Sequence, residues 1–369
     1  MNYINNHKTK ILSLLLTLLL ILPIPIQTYA NAIDIDYVDQ LIKIAEENYV
    51  QSIPREQHLE NAIKGAFENL DQHSKYYNPE EFVEMVKGVD GNFVGIGVHI
   101  KEKDGYIVIV DAIDTSPAKK AGLVSGDIIF RISGESAVGI TAEQAVRLIK
   151  GEAGSKVRLT IKRGSKRFAV VLKRGNIEIN PVEYSIIQDV GYIKLDQFSQ
   201  NSHKRIMEAL DHMDENNIED IILDLRDNPG GYLDQAIYIG NQFIKKGPIT
   251  HLKYRDQDLI TCESYLEDLK YNLILLVNER SASASELLAA AIKDTESGLI
   301  IGKKTFGKGT VQEIIPLKRG DGVKITRAEY FSPNMNKIEG IGVEAHIEVE
   351  NKDKEDNQMK RAIQTFTNP

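Results

Sequence analysis

The sequence predicts a multidomain protein of mixed α+β and α/β class, in which a helical N-terminal module precedes a β-rich domain and an α/β core. Three observations predict this class. Apolar residues recur at helical spacing in residues 34–90, short β-branched strands alternate with turns in residues 91–174, and apolar strands alternate with helical segments in residues 175–350. A chain of 369 residues is long enough for two or three domains. Residues 351–369 are expected to form a polar C-terminal tail that ends in a short helix.

Residues 1–30 are typical of a signal peptide for export. Two lysines precede a 12-residue apolar run from Ile11 to Leu22, which is too short to span a bilayer comfortably. Small residues follow at Ala30 and Ala32, and cleavage is expected after one of them. The mature protein is therefore expected in the bacterial periplasm or cell envelope, and membrane association through an uncleaved segment stays open.

The charge of the chain argues against nucleic acid as a partner. The formal net charge is −8, and removal of the first 30 residues, which hold two lysines and no acid, would leave −10. Nonspecific binding of nucleic acid relies on a basic surface. Cys262 is the only cysteine, so no intramolecular disulfide can form. We expect no metal ion and no other cofactor.

Residues 91–174 are expected to form a β-rich domain with one helix, Thr141–Lys150. Apolar and polar residues alternate on both sides of a turn at residues 163–166, which predicts a final hairpin. Nine Lys and Arg and a single acid lie between Lys150 and Arg174. These cations can form a basic binding patch, but the strand alternation favours a solvated sheet face.

The α/β core is predicted from apolar runs that are continuous rather than alternating, which is typical of strands buried on both faces of a parallel sheet. Strands are predicted at Ile221–Leu225, Leu273–Val277 and Leu299–Gly302, and helices at Gly231–Ile244 and Ser283–Lys293.

A serine at the start of a predicted helix is the first candidate for chemistry. Ser283 stands three residues before Glu286 and an apolar run, which is the pattern of an ordinary helix capping box. A nucleophile at this place is compatible with that role, because a helix N-terminus gathers unpaired N–H groups and a partial positive charge that suit a developing oxyanion. No G-x-S-x-G or H-E-x-x-H motif offers another route to hydrolysis.

A lysine between two glycines is the second candidate. Gly302–Lys308 fits the first seven positions of a phosphate-binding loop, but Gly309 stands where that loop needs Ser or Thr, and a β-prone segment follows where it needs a helix. Lys308 can also be an ordinary solvated lysine, or it can be a general base, in which case burial must lower its pKa so that the amine is neutral. If residues 308–312 are extended, Gln312 lies on the same face as Lys308 and can orient the amine.

A pair of glycines, Gly230 and Gly231, follows a predicted strand and opens a helix. The pair can form a tight strand-to-helix turn, or it can point a backbone N–H at an active site that a substrate approaches closely.

Four segments in register resemble the carboxyl-terminal processing peptidase family, the tail-specific serine proteases. They are Asp224–Gly231 (DLRDNPGG), Asn278–Glu286 (NERSASASE), Gly302–Gln312 (GKKTFGKGTVQ) and Thr326–Pro333 (TRAEYFSP). The likeness covers nearly the whole chain that would remain after export. It implies an α/β peptidase core with a Ser-Lys active site, in which Ser283 is the nucleophile, Lys308 the general base and Gln312 its orienting partner.

The resemblance also implies which groups bind the oxyanion. The donors would be the backbone N–H groups of Ala284 and Gly231, with Gly230 as the neighbouring option. Glu286 would then be mainly a structural cap.

The resemblance further identifies residues 91–174 as a PDZ-like domain inserted before the peptidase core. In such domains a loop offers backbone N–H groups to the terminal carboxylate of a peptide, which adds as a strand. The corresponding loop residues here would be Val94, Gly95, Ile96 and Gly97.

The expected function is an exported serine endopeptidase that recognises protein or peptide C-termini through its PDZ domain and cleaves by a Ser-Lys mechanism. One alternative is a catalytically inactive PDZ adaptor on a protease-like scaffold. Another is a peptidase of small peptides whose PDZ domain is regulatory. A homodimer through the helical module also stays open.

Overall fold

The computed structural model describes residues 33–352 and 355–367. The predicted signal peptide, residues 1–30, lies outside the described residues. The chain divides into two compact units, of which the first ends at Ile63 and the second begins at Lys64. No helix in the described part of the chain combines the length and the apolar character needed to cross a membrane.

The described part of the first unit is helical, as the sequence predicts. Helix α1 (Ile35–Asn48) is capped by Asp34, whose side chain accepts a hydrogen bond of 2.9 Å from the Tyr37 N–H. Helix α2 (Arg55–Glu68) continues into the second unit. Only Ile42 of α1 is buried, so the helix leaves large apolar side chains exposed.

Residues 64–90 are not purely helical, and the prediction of one helical module over residues 34–90 is wrong for a short segment. Strand β1 (Lys75–Tyr77) pairs antiparallel with a strand at Gly322–Phe331 before helix α3 (Pro79–Asp90) begins. A three-residue strand carries no alternation of its own that could reveal it between two helices.

The β-rich region is built almost entirely from antiparallel strands. In chain order its elements are β2 (Asn92–Gly95), β3 (Val98–Lys103), β4 (Tyr106–Ala112), α4 (Pro117–Lys120), β5 (Ile128–Ile132), β6 (Glu135–Ser136), α5 (Ala142–Ile149), β7 (Lys156–Arg163), β8 (Lys166–Lys173) and β9 (Gly175–Glu178). The main sheet has the order β3-β4-β5-β7-β8, with β6 beside β5. Strand β9 pairs with β2, so this region extends beyond its predicted end at residue 174.

The predicted α/β core is confirmed. Its elements in chain order are β10 (Val182–Ile187), β11 (Val190–Leu195), α6 (Ser202–Glu215), β12 (Asp220–Asp224), α7 (Leu233–Gly240), β13 (Gly247–Tyr254), β14 (Ile260–Ser264), β15 (Asn272–Val277), α8 (Ala284–Asp294), β16 (Leu299–Gly302), β17 (Thr310–Pro316), β18 (Gly322–Phe331), β19 (Ile347–Glu348) and α9 (Asn357–Thr367). One sheet has the order β10-β11-β12-β15-β16-β19, and all its pairs except β10–β11 are parallel.

This sheet is buried on both faces, which explains the continuous apolar runs. Helices α6, α7 and α8 pack on one face around the largest apolar cluster. Helix α9 packs on the other face, where Ala362 is fully buried against the strands. The tail at residues 351–369 therefore includes a helix that completes the core, rather than a purely polar extension.

A second sheet carries the lysine segment. Its order is β1-β18-β13-β14, and β17 pairs with β18. The β17–β18 ladder has a register shift between Val311 and Gln312. Because α8 follows β15 and β17 follows the loop after β16, the serine segment and the lysine segment both leave the carboxyl edge of the parallel sheet.

Candidate active site

Ser283 occupies the turn between β15 and α8 in a conformation that residues with a side chain rarely adopt. Its φ is 55° and its ψ is −114°, which costs about 1–3 kcal/mol and persists only where the surroundings hold it. The neighbouring serines supply that support. The buried Ser281 hydroxyl donates to Leu225 O at 2.8 Å, and the buried Ser285 hydroxyl donates to Asn228 O at 3.0 Å. Of the three serines, only Ser283 is partly exposed.

The carboxylate of Glu286 connects this turn to the lysine segment. It is fully buried and accepts four hydrogen bonds. One oxygen receives the Thr305 hydroxyl at 2.6 Å and the Gly307 N–H at 2.5 Å. The other receives the N–H groups of Ser283 at 2.9 Å and Lys308 at 2.8 Å. Glu286 is therefore more than the helix cap that the sequence predicts.

Tyr330 holds the same two residues from their carbonyl side. Its hydroxyl lies 2.8 Å from Ser283 O and 2.6 Å from Lys308 O, and it shares one proton between them. Burial, with the negative charges of Glu286 and Glu339, raises the pKa of Tyr330 well above its ordinary value, so the hydroxyl stays a donor. The backbones of Ser283 and Lys308 are consequently held side by side.

The side chain of Lys308 is partly buried, and its ammonium group makes no hydrogen bond or ion pair within the described residues. Burial lowers the pKa of Lys308 below the ordinary value of 10.5, and the positive charge of Lys324 lowers it further. The carboxylates of Glu339, Glu286 and Asp71 act in the opposite direction but do not cancel the shift. A lowered pKa increases the fraction of neutral amine that can accept a proton.

Residues before β1 also face the lysine, which the sequence did not indicate. Asp71 accepts the N–H groups of His73 and Ser74, each at 2.7 Å, and the Ser74 hydroxyl. Burial and the charge of Lys308 lower the pKa of His73, so its imidazole is neutral near pH 7. Only the β1–β18 pairing brings this segment to the site, and no local pattern could have shown it.

Gln312 makes no hydrogen bond with Lys308 in the structure. Its amide donates to the hydroxyls of Thr310 at 3.0 Å and Thr326 at 3.3 Å. Lys308 precedes β17, and the register shift after Val311 interrupts the ladder. Strict strand alternation, which predicts Lys308 and Gln312 on one face, therefore does not hold across residues 308–312. The orienting role of Gln312 stays a prediction.

The two glycines lie directly against the serine turn. A Cβ at Gly230, where φ is 98°, would lie only 2.8 Å from Ser283 Cβ. The Gly230 N–H is already bound to the Asn228 side chain at 2.9 Å. The N–H groups of Gly231 and Ala284, in contrast, have no acceptor among the residues that the structure describes. Gly231 and Ala284 are therefore available as donors, whereas Gly230 is not.

The predicted carboxylate-binding loop lies beside an edge strand. Val94 and Gly95 belong to β2, whereas the N–H groups of Ile96 and Gly97 find no acceptor in the described part of the chain. Gly97 has a φ of 74°, and a Cβ there would lie 2.3 Å from Ser116 Cβ. The loop leads into β3, which ends the main sheet and can pair with an added strand.

Comparison with known proteins decides the family. Residues 189–349 match peptidase family S41, and residues 108–163 match a PDZ domain. A carboxy-terminal-processing protease of Bartonella bacilliformis is 38% identical over 309 residues, which cover 81% of this chain and 71% of the relative. The chain belongs to peptidase family S41. Family membership makes it a serine-type peptidase with a PDZ domain, as the resemblance implied.

Further relatives agree with this family. A probable CtpA-like serine protease of Staphylococcus epidermidis is 36% identical over 325 residues; the match covers 87% of this chain but only 66% of the relative. The solved photosystem II D1 C-terminal processing protease is 26% identical, with a TM-score of 0.50 and coverage of 84% of this chain and 86% of that one. A putative S41 protease from Bacteroides fragilis shares the fold, with a TM-score of 0.56, 16% identity and coverage of 89% and 97%.

We expect Glu286→Gln to destabilise this S41 core and to reduce catalysis. An amide nitrogen cannot accept hydrogen bonds, so two of the four donors would lose their acceptor inside the protein. Stranded buried donors reduce the free energy of unfolding by about 2–5 kcal/mol. Denaturant unfolding and peptide hydrolysis measure the two effects. Glu267→Gln, at an exposed surface ion pair, is the matched control. Equal unfolding free energy and equal kcat in both variants would contradict the bridging role.

Proposed function

We propose that this S41 peptidase is an exported serine endopeptidase that captures protein or peptide C-termini on its PDZ domain and cleaves with a Ser-Lys pair. One observation carries the proposal: Glu286 and Tyr330 hold the backbones of Ser283 and Lys308 side by side, while burial lowers the pKa of Lys308. A serine close to an amine whose pKa is lowered is the arrangement that nucleophilic catalysis without a histidine requires.

In the proposed reaction the neutral Lys308 amine takes the proton from the Ser283 hydroxyl as Oγ attacks the substrate carbonyl. The N–H groups of Gly231 and Ala284 then stabilise the tetrahedral oxyanion at the N-terminus of α8. Lys308 returns the proton to the leaving amine, and water hydrolyses the acyl-enzyme by the same steps. For Gln312 to orient the amine, its side chain must turn away from Thr310 and Thr326.

Capture of C-termini is supported by the free backbone groups of the PDZ loop. The unpaired N–H groups of Ile96 and Gly97 suit a terminal carboxylate, with Val94 and Gly95 completing the loop. The peptide would then extend along the open edge of β3. The alternative of an inactive PDZ adaptor requires loss of the catalytic groups, and Ser283 and Lys308 are both present.

Export is supported by the basic and apolar pattern of residues 1–30, and periplasm or cell envelope follows from it. A homodimer is supported by helix α1, which exposes Ile35, Leu41 and Ile44 although these residues are apolar.

We expect Ser283→Ala and Lys308→Ala each to reduce kcat/KM by about 10⁴-fold or more, because removal of either member of such a unit disables both. The assay is cleavage of a protein with a free C-terminus, and circular dichroism checks that both variants fold. Lys304→Ala removes an exposed lysine from the same loop and is the matched control. Substantial residual proteolysis in the Ser283 or Lys308 variant would refute the mechanism.

The pH profile tests Lys308 as the base. Because its folded pKa is lowered below 10.5, log kcat/KM should rise with pH and level off at an apparent pKa below that value. Lys324→Gln removes a positive charge that lowers this pKa, so it should move the rising limb to higher pH. Lys318→Gln, on an exposed turn, should leave the limb in place. A rising limb whose position does not change in Lys324→Gln would point to another base. So would a rising limb below pH 6.5, in the range where His73 titrates.

Capture through the C-terminus predicts a preference between matched substrates. A peptide with a free C-terminus should have a kcat/KM about 10-fold or more above that of its C-terminally amidated form, because hydrogen bonds to a charged group are the stronger kind. Equal rates for the two peptides would instead support a general peptidase of small peptides with a regulatory PDZ domain.

A further inference from the structure

The face of the main PDZ sheet that points away from α4 and α5 is basic; we call it the outer face. Strand alternation and register place eight cations on it. They are Lys101, Lys103, Arg131, Lys156, Arg158, Lys162, Arg167 and Lys173. Helices α4 and α5 cover the opposite face, where Ala118, Ala145 and Ile149 pack against Ile107 and Ile129.

None of these eight cations has a carboxylate partner within the described residues. Cations near the edges of the same domain are paired. Arg163 binds Asp127 at 2.6 Å, and Lys150 lies 3.7 Å from Glu84. The one carboxylate at an outward position of these strands is Asp111, which is bound to His99. The outer face is therefore an uncompensated positive surface.

The charge is concentrated in this part of the chain. Residues 91–174 hold 15 Lys and Arg against 8 Asp and Glu, a net charge of +7, whereas the whole chain carries −8. The remaining residues thus carry −15. Such a separation orients a protein near an anionic surface, with the basic domain turned towards that surface.

Apolar and aromatic side chains lie between the cations. The Arg167 guanidinium stacks 3.9 Å from the centre of the Phe130 ring, and the Lys162 ammonium lies 6.0 Å from the centre of the Tyr106 ring. Val171, on the edge strand β8, is 57% exposed. Cations with long apolar stems beside aromatic rings suit an interface that offers charged headgroups above a hydrocarbon layer.

We propose that the outer face docks the PDZ domain on a bilayer surface rich in anionic phospholipid. The N-terminal sequence favours this partner over other polyanions, because the basic and apolar residues 1–30 are typical of a signal peptide that directs export across a membrane. Docking leaves the open edge of β3 and helix α5 accessible, since α5 packs on the opposite face of the sheet. This inference does not rest on the Ser-Lys mechanism and stands or falls separately.

The test is sedimentation of the full chain with lipid vesicles made with or without phosphatidylglycerol. The face variant carries Arg131→Gln, Arg158→Gln and Lys173→Gln, three exposed residues without ion pairs. The matched control carries Lys245→Gln, Lys246→Gln and Lys337→Gln, which remove the same charge from the peptidase core surface. The readout is the ratio of partitioning onto anionic and neutral vesicles, because the apolar N-terminal run binds both kinds. Thermal melts confirm that both variants fold.

We expect the ratio to fall roughly 100-fold in the face variant at low salt, since each cation near an anionic surface contributes about a factor of five. The control should stay close to the original chain. Equal ratios in the face variant and the control would overturn the proposal. A partitioning ratio near one for the original chain would also overturn it. If the face variant in that case also lost binding to a DNA duplex, the outer face would be a nucleic-acid-binding surface instead.

Discussion

The arrangement of the peptidase core depends on one buried carboxylate. Glu286 accepts hydrogen bonds from both sides of the site, and one of its oxygens receives the N–H groups of Ser283 and Lys308 together. Tyr330 completes the frame by donating towards the carbonyl groups of the same two residues. A carboxylate this deeply buried is tolerable only when its lone pairs are satisfied, and here two donors meet each oxygen. The hydrogen bonds that offset the cost of burying Glu286 therefore also hold the segments of Ser283 and Lys308 together.

This frame explains how the core maintains a strained serine turn. The positive φ of Ser283 exposes its side chain at the N-terminal end of α8. The neighbouring serines hold the turn against the loop at residues 225–228 by hydrogen bonds. Gly230 packs so closely against Ser283 that no side chain could be accommodated. Both glycines are thus needed for packing, since a Cβ at Gly231 would lie 2.2 Å from Phe198 O, and Gly231 alone also leaves its N–H free. The sequence left the choice between a tight turn and an N–H donor open; both glycines serve the turn, and only Gly231 can also serve as the donor.

Much of the fold and of the candidate site could be predicted from the sequence. The continuous apolar strands and the helix after Ser283 lie within a few residues of their predicted bounds, because burial on both faces leaves a strong pattern. What could not be predicted depends on pairing between distant segments. The β1–β18 ladder brings Asp71 and His73 towards Lys308. The Thr326 hydroxyl accepts a hydrogen bond from the Gln312 amide. The sequence shows the nine cations near the end of the PDZ domain. Only the strand register and the missing ion pairs show which of them lie on the outer face.

We propose that the frame around Glu286 presents Lys308 as a base whose amine loses its proton more easily than an ordinary lysine. The most direct measurement is an NMR titration of the Lys308 side-chain nitrogen and adjacent carbon in lysine-labelled protein, with the resonance assigned by its absence in Lys308→Arg. We expect this amine to titrate below the ordinary lysine value of 10.5. A Lys308 resonance that titrates at or above 10.5 would contradict it, because an amine that stays charged cannot take the proton from Ser283.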